Sequence, residues 1–215
     1  MIKMRLFFTF LLTFSMFLKG FTQTDTTVHY FEKLYPDDGL FLTPNSLPDG
    51  KWIAFCSSNK TQIGLIVYYK NGKQEGESKG FWPNGNLKFK QIYKNGYADG
   101  NGERWYENGT KKSEGNCRLV NSSYKYSTCS IINFWTKDGE QTMKDSSGIF
   151  IDYHDNGVLQ IKGQYINGQR NGDWIWYYPN GKIQYTSSYI NGKEVGVWKY
   201  YKEDGTFEYE NEHKK

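Results

Sequence analysis

The chain is 215 residues long and carries 27 basic against 23 acidic side chains, a formal net charge of +4. Three of the basic residues lie in the first 23 residues, which contain no acid. The remainder is therefore almost neutral and lacks the basic footprint of a nucleic-acid-binding protein. With 18 Tyr, 7 Trp and 23 Gly but only 37% hydrophobic residues, the composition favours an all-β domain with many tight turns.

The N-terminus has the pattern of an export signal. Lys3 and Arg5 precede an apolar run, Leu6–Leu18, whose 13 residues suit a signal peptide and fall short of the roughly 20 that span a bilayer. No cysteine follows until Cys56, which argues against a lipid-anchored N-terminus. We predict cleavage near Gln23, export to the periplasm or the extracellular space, and no stable membrane anchor afterwards. An uncleaved anchor is the alternative.

Glycine recurs with a period of 24 residues, which is the signature of a repeat architecture. One series consists of Gly76, Gly100, Gly148, Gly172 and Gly196, and a second of Gly85, Gly109, Gly157, Gly181 and Gly205. Both series show spacings of 24, 48, 24 and 24 residues. Because the Asn-Gly pairs near these positions supply the positive-φ residues of hairpin turns, the pattern predicts an all-β fold. We expect an elongated antiparallel β-meander of tandem 24-residue β-hairpin repeats.

The second glycine series also predicts the pairing across its turns. Pro83 and Pro179 lie two residues before the glycine, which suits a type I turn with the glycine in a left-handed bulge position. A three-residue loop then pairs the residue four before the glycine with the residue two after it. The first column is Phe81, Trp105, Trp135, Tyr153, Tyr177 and Tyr201, and the second is Leu87, Lys111, Leu159, Ile183 and Phe207. We expect the same packed face to continue through Phe89, Ile161, Tyr185 and Tyr209, then Tyr93, Tyr165 and Tyr189.

These units resemble the MORN-repeat variant proteins of bacteria. The matching stretches are "GDWIWYYPNGKIQYTSSYINGKEVGVWKYYKEDG" (Gly172–Gly205) and "YYKNGKQEGESKGFWPNGNLKFKQIYKNGYADG" (Tyr68–Gly100). The resemblance extends over roughly Leu65–Tyr209. It implies an elongated antiparallel sheet of successive hairpins without catalytic residues. Some members of the family are antitoxin-like components, and related arrays contact proteins or lipids.

The third unit departs from the period. Its first turn is expected at residue 133, but the glycine arrives six residues late, at Gly139, and the delay is recovered before Gly148. Lys111 and Ser113 also replace apolar residues in this unit. A broken repeat is often where specificity lies, so we place a candidate binding region here.

The inserted segment of the third unit contains two cysteines and two tyrosines. Cys117 and Cys129 are spaced to allow a disulfide in an oxidising compartment. Cys117 also falls in a column of packed tyrosines, where a buried structural cysteine needs no function. Tyr124 and Tyr126 between them are candidate binding residues. Cys56 lies in an expected N-terminal capping strand and is predicted to be buried.

The sequence contains no recognisable motif for catalysis, metal binding or cofactor binding. His29, His154 and His213 are far apart and lack ligand-like spacing to cysteines or carboxylates. His154 occupies a position next to a turn, which favours a packing role. The equivalent positions are Trp82, Tyr106 and Tyr178. No G-x-S-x-G, P-loop or H-E-x-x-H pattern occurs, so we predict a protein without cofactor, metal or enzyme activity.

Aromatic residues of the C-terminal units that alternate with the packed column are candidate ligand contacts. They are Trp174, Trp176, Trp198 and Tyr200, and their expected cross-strand neighbours are polar. Aromatic side chains among polar ones on the second face of a sheet would suit a glycan or a peptide. The alternative is that the twisted sheet, or long polar side chains, cover them.

Together these observations predict an exported, non-catalytic repeat module that binds a protein, or another macromolecule, through its sheet face or the loop of its third unit. The alternatives are an antitoxin or immunity protein against a toxin of the envelope, a glycan-binding or carbohydrate-active protein, and an envelope scaffold. The predicted boundaries are a signal peptide at 1–23, an N-terminal segment with atypical capping strands at 24–64, hairpin repeats at 65–209 with the irregular unit at 110–148, and a charged tail at 210–215. Lys199, Lys202 and the segment "EYENEHKK" (Glu208–Lys215) are expected to shield the C-terminal edge of the sheet.

Overall fold

The chain folds into one sheet built of successive hairpins, as the period predicts. The computed structural model describes residues 28–30, 47–121 and 125–213, and these contain strands but no helix. The predicted signal peptide lies outside the described residues. The strands are β1 (Val28–Tyr30), β2 (Gly50–Phe55), β3 (Ile63–Lys70), β4 (Lys73–Gln74), β5 (Gly76–Phe81), β6 (Leu87–Lys94), β7 (Tyr97–Trp105), β8 (Lys111–Asn121), β9 (Lys125–Trp135), β10 (Gln141–Lys144), β11 (Ser147–Tyr153), β12 (Leu159–Ile166), β13 (Gln169–Tyr177), β14 (Ile183–Ile190), β15 (Lys193–Tyr201) and β16 (Phe207–His213).

The strands lie side by side in chain order, and almost all neighbours are antiparallel. β1 is the exception, because it pairs in parallel with β2 and covers the N-terminal edge of the sheet. There His29 stacks on Trp52 with ring centroids 4.5 Å apart. β16 forms the opposite edge and pairs with β15. Among the described residues, no helix and no second sheet covers either face.

One end of the strands carries two-residue turns, and we call it the Asn-Gly rim. Asn167 and Gly168 both have positive φ, 50° and 76°, as a type I′ turn requires. Equivalent turns with positive φ occur at residues 71–72, 95–96, 145–146 and 191–192. This geometry matches the right-handed twist of the flanking strands, which explains why Asn-Gly recurs at this rim.

The other end of the strands carries three-residue loops, and we call it the loop rim. In the Pro179–Gly181 loop, Gly181 has a φ of 84° and its N–H donates to Tyr178 O at 2.8 Å, as predicted for a type I turn with a bulged glycine. The amide of Asn180 donates to Glu203 O in the next loop at 2.8 Å. The same link is made by Asn59, Asn84, Asn108 and Asn156. A ladder of asparagine side chains therefore ties successive loops together.

A second set of polar links runs beside the asparagine ladder. Donors next to the loops reach the carbonyl of the following hairpin: Trp82 Nε1 to Trp105 O at 3.2 Å, Tyr106 Oη to Trp135 O at 3.0 Å, and Tyr178 Oη to Tyr201 O at 2.8 Å. His154 holds the same position, with Nε2 2.8 Å from Tyr177 O. These hydrogen bonds connect one hairpin to the next. The contact of His154 with Tyr177 O gives this histidine a structural role at its position.

A bulge beside each loop determines which side chains share a face. The predicted pairing across the loops is confirmed, since Tyr177 pairs with Ile183. The next pair is Trp176 with Tyr185, so Gln184 is an extra residue and side-chain alternation reverses at this point. The prediction that the loop columns continue onto Tyr185 is therefore wrong. The loop columns lie on one face, which we call the outer face. The core face carries Phe89, Ile161, Tyr165, Trp174, Trp176, Tyr185, Tyr189, Trp198 and Tyr200.

Large and small side chains alternate across the core face of the C-terminal units. A Cβ built on Gly163 would lie 2.1 Å from a ring carbon of Trp174, so the indole occupies the space above this glycine. β13 has two extra residues opposite Gly163, and Gly172 takes a φ of 69° within that bulge. Ser187 is the small partner of Trp174 on β14 and is 2% exposed. The alternation lets a single-layer sheet bury Trp174 completely.

We expect Gly163→Ala to destabilise the protein by about 1–3 kcal/mol, because the added methyl group would displace the indole of Trp174. Ser187→Ala is the matched control. Its hydroxyl is buried and has no hydrogen-bond partner among the described residues, so its removal should be neutral or slightly stabilising. Urea denaturation would measure both. Equal stability of the Gly163→Ala and wild-type proteins would contradict the packing described here.

Candidate functional site

A row of stacked aromatic rings crosses the core face of the last four strands. Trp176 and Tyr185 have ring centroids 4.2 Å apart and planes 13° apart. Tyr185 and Tyr200 follow at 5.5 Å, and Tyr200 and Tyr209 at 4.4 Å. We call these four residues the aromatic row. Each ring comes from a different strand, so the row depends on the register of β13 to β16.

The stacking of neighbouring rings limits which ligands the aromatic row can contact. The faces of its inner rings contact neighbouring rings, which leaves ring edges and hydroxyl groups toward solvent. A sugar ring packs its C–H groups against an aromatic face, and such a face is free only at the end of the row. The geometry therefore gives no support to a glycan platform along these four residues.

Two of the predicted ligand contacts are core residues. Trp174 is 0% exposed and Trp198 is 8% exposed, and both pack against Tyr189. They lie opposite the loop columns, as expected, but the expectation of polar neighbours on a face separate from Tyr185 and Tyr189 is wrong, because the bulges reverse the alternation between the loops and the strand centres. Trp176 and Tyr200 lie half-buried in the aromatic row. None of the four presents an open ring face.

Arg170 closes the core face on the side of the Asn-Gly rim. Its guanidinium lies over the rings of Trp174 and Trp176, 4.6 and 5.4 Å from their centroids. It also donates to the hydroxyl of Tyr189 at 3.1 Å. These contacts engage the cation with aromatic rings of its own chain, so Arg170 stabilises the core face and is not available as a ligand contact.

The irregular third unit forms an extended hairpin. β8 and β9 have 11 residues each, against eight or nine in β6, β7 and β12 to β15. The six extra residues lengthen each strand by about three residues, roughly 10 Å. This hairpin, which we call the long hairpin, therefore projects past the turns of the Asn-Gly rim.

A disulfide crosses the long hairpin. Cys117 and Cys129 are directly paired, with Cα atoms 4.0 Å apart, and their sulfur atoms are bonded. Cys117 is buried and Cys129 is exposed. Tyr126 lies nearer the tip with half of its surface exposed, and Tyr124 lies outside the described residues. The bridge ties the two strands together below the tip that carries Tyr126.

A groove of about 670 Å³ separates the long hairpin from the Asn-Gly rim. Leu119 and Lys125 line it on the hairpin side, and Tyr69, Gln74 and Tyr97 on the side of the sheet. The lining combines aromatic and aliphatic surface with amide and ammonium groups. Sequence patterns did not identify these residues, because the groove brings together positions about 50 residues apart in the chain.

A smaller cavity of about 90 Å³ lies at the base of the long hairpin. Its lining includes Gly102, Gly115, Arg104 and Cys117. Gly102 stands at the repeat position that Trp174 holds three units later. This position therefore lacks a large ring, and the side chain of Gln91 lies above Gly102, where an added Cβ would be 2.3 Å from Gln91 Oε1.

Ion pairs replace apolar packing in the third unit. On the outer face Lys111 contacts Glu103 at 2.7 Å and hydrogen-bonds Glu114, which lowers the pKa of the Glu114 carboxyl. Lys112 contacts Asp152 at 2.7 Å and joins β8 to β11 across the two strands between them. The charged residues that interrupt the apolar columns thus have structural partners.

Metal ligation and membrane spanning find no support in the described part of the chain. Within those ranges no three His, Cys, Asp or Glu side chains are grouped closely enough to hold an ion. We also find no helix there that could span a membrane.

Burial raises the pKa of Tyr185 to about 12. A raised tyrosine pKa contributes stability that is present below the unfolded value of about 10 and is lost as the pH rises toward 12. We therefore expect the melting temperature of the wild type to fall between pH 10 and 12, and Tyr185→Phe to fall less steeply. Absorbance at 295 nm would follow ionisation, with Tyr153→Phe as the control outside the row. Parallel curves for Tyr185→Phe and the wild type would contradict this assignment.

Comparison with known proteins agrees with this architecture. The sequence model of the MORN repeat variant family matches residues 74–95, 98–116, 146–167 and 170–191. The matches leave out residues 117–145, which include most of the long hairpin. No curated protein matches the chain. Repeats of this family are generally non-catalytic and often serve in binding. The four matches and the sheet of hairpins show that the chain belongs to the MORN repeat variant family.

Proposed function

We propose that the protein is an exported, non-catalytic module that binds a partner protein through the long hairpin and the groove beside it. The observation that carries this proposal is the departure of β8 and β9 from the repeat. An array of regular hairpins would be complete with strands of eight or nine residues, whereas this hairpin adds surface that packs little of its own core.

The groove supports a protein as the partner. Its volume of about 670 Å³ accommodates several side chains, and its lining offers both apolar and hydrogen-bonding contacts. Tyr126 pairs with Val120, on the face of the long hairpin opposite Leu119 and Lys125, and is half-exposed. Tyrosine is among the residues that most often dominate binding energy at protein interfaces. The Cys117–Cys129 bridge limits the freedom of the hairpin, which reduces the entropy lost on binding.

Export rests on two observations of different kinds. The apolar leader has the length and flanking charge of a signal peptide. A disulfide outside a redox-active site is typical of oxidising compartments such as the periplasm or the extracellular space. An antitoxin or immunity role is a special case of the proposed function, in which the partner is a toxin that acts in the envelope.

Site-specific photocrosslinking would test the binding surface. A photoreactive phenylalanine analogue at position 126 should form an adduct with a defined partner in the producing cells. The same analogue at position 153, an exposed tyrosine near the loop rim with 43% exposure, is the matched control. Adducts of equal yield at both positions would contradict a localised site.

The purified partner should then bind the wild type more tightly than Tyr126→Ala or Leu119→Asp. We expect a loss of roughly thirtyfold for a residue that dominates the interface. Tyr153→Ala should bind like the wild type. Unchanged affinity of both long-hairpin variants would refute the proposed surface, and circular dichroism would verify that each variant is folded.

Export with cleavage predicts a protein shorter than the 25.2 kDa full chain. We expect N-terminal sequencing of the protein outside the cytoplasm to begin near Thr24. Recovery of the full-length chain from the cytoplasmic fraction would refute this part of the proposal.

A further inference from the structure

The last strand, β16, forms one edge of the described sheet. β16 pairs with β15 on one side, and no described strand pairs with its other side. Six of its seven residues are exposed. Alternate residues of an edge strand point their N–H and C=O groups outward, so β16 presents a row of unpaired backbone groups about 20 Å long.

The aromatic row ends at this open edge. One face of the Tyr209 ring stacks on Tyr200, with centroids 4.4 Å apart and planes 11° apart. The ring is 46% exposed, and its other face points toward the position that a further strand would occupy. Each inner ring of the row has an aromatic neighbour on both adjacent strands, whereas Tyr209 has one.

Acidic residues alternate with the aromatic and polar residues along β16. Glu210 and Glu212 flank Asn211 and are exposed, and Glu208, also exposed, is the extra residue of the bulge before Tyr209. On β15, Lys199 pairs with Glu210, and the adjacent Tyr200 pairs with Tyr209. The residues of β15 that pair with Tyr209 and Glu210 are thus an aromatic residue and a basic one, and a strand on the other side of β16 would need the same two types.

We propose that β16 binds an extended segment of another protein, in which aromatic and basic residues alternate, as an added strand of the sheet. The aromatic residue opposes Tyr209 and continues the row, and its basic neighbours oppose Glu208 and Glu210. Six strands, β10 to β15, separate this surface from the long hairpin, so it does not depend on the groove. Backbone hydrogen bonds supply affinity, and alternate side chains supply specificity.

A second copy of the chain fits this edge poorly. Antiparallel pairing of two β16 strands with Tyr209 on Tyr209 would place Glu208 of one copy opposite Glu210 of the other. Like charges in directly opposed positions of a sheet are destabilising. The acidic strand thus disfavours pairing with itself and favours a basic partner.

The proposal can be tested with a labelled seven-residue peptide that alternates lysine and tyrosine. Fluorescence anisotropy should show saturable binding to the purified protein that weakens as salt is added. A peptide with glutamate in place of lysine should bind at least tenfold more weakly. Two further peptides carry N-methyl groups on one or the other alternate set of amides. Blocking the set that faces β16 should abolish binding, and blocking the other set should not.

Variants of the protein locate the site. Tyr209→Ala should weaken peptide binding roughly tenfold through the loss of stacking, and Glu210→Gln several-fold through the loss of charge. Tyr153→Ala alters an exposed tyrosine far from the edge and should leave the affinity unchanged. Thermal melting would show that each variant retains the fold.

Three results would overturn the proposal. They are equal binding of the lysine and glutamate peptides, equal binding of both N-methylated peptides, and a concentration-dependent dimer that Tyr209→Ala dissociates. The last would assign the edge to a second copy. The long-hairpin variants Tyr126→Ala and Leu119→Asp should bind the peptide like the wild type, which separates this site from the proposed function.

Discussion

The register of each hairpin depends on the bulge that follows its three-residue loop. The loop closes with a glycine of positive φ, and the returning strand carries an extra residue, such as Gln184 in β14. Because side chains alternate along a strand, one extra residue transfers everything beyond it to the other face. Tyr177 and Ile183 thereby belong to the outer face, while Trp176 and Tyr185 stack on the core face.

This constraint explains how a single-layer sheet can bury large residues. No second layer covers Trp174 in the described residues, yet the side chain is fully buried among rings from neighbouring strands. Gly163 leaves space for its indole, and Arg170 covers its ring. The polar ladders at the loop rim hold consecutive hairpins in the same register, so one favourable arrangement of large and small residues can recur along the array.

Both of the proposed binding surfaces lie where the repetition stops. Within the array, each hairpin satisfies the backbone and side chains of the next, which leaves little unpaired surface at either rim. The long hairpin interrupts this order and opens a groove beside Leu119 and Lys125. At the end of the array, backbone groups of β16 and one face of Tyr209 have no neighbour among the described residues. The two proposals use these two departures from regularity.

Several features followed from the amino-acid sequence alone. The period of 24 residues, the strand order, the turn types and the pairing of Tyr177 with Ile183 are local properties, because Asn, Gly and Pro determine the backbone within a few residues. The unusual third unit was also visible as a shift in the glycine series. The tertiary structure alone decided that Trp174 and Trp198 are core residues and that the aromatic row runs from Trp176 to Tyr209. It also brought Tyr69 and Lys125 to one groove. These features depend on how bulges reverse the faces and on contacts between strands distant in the chain, and neither is encoded in the spacing of turn residues.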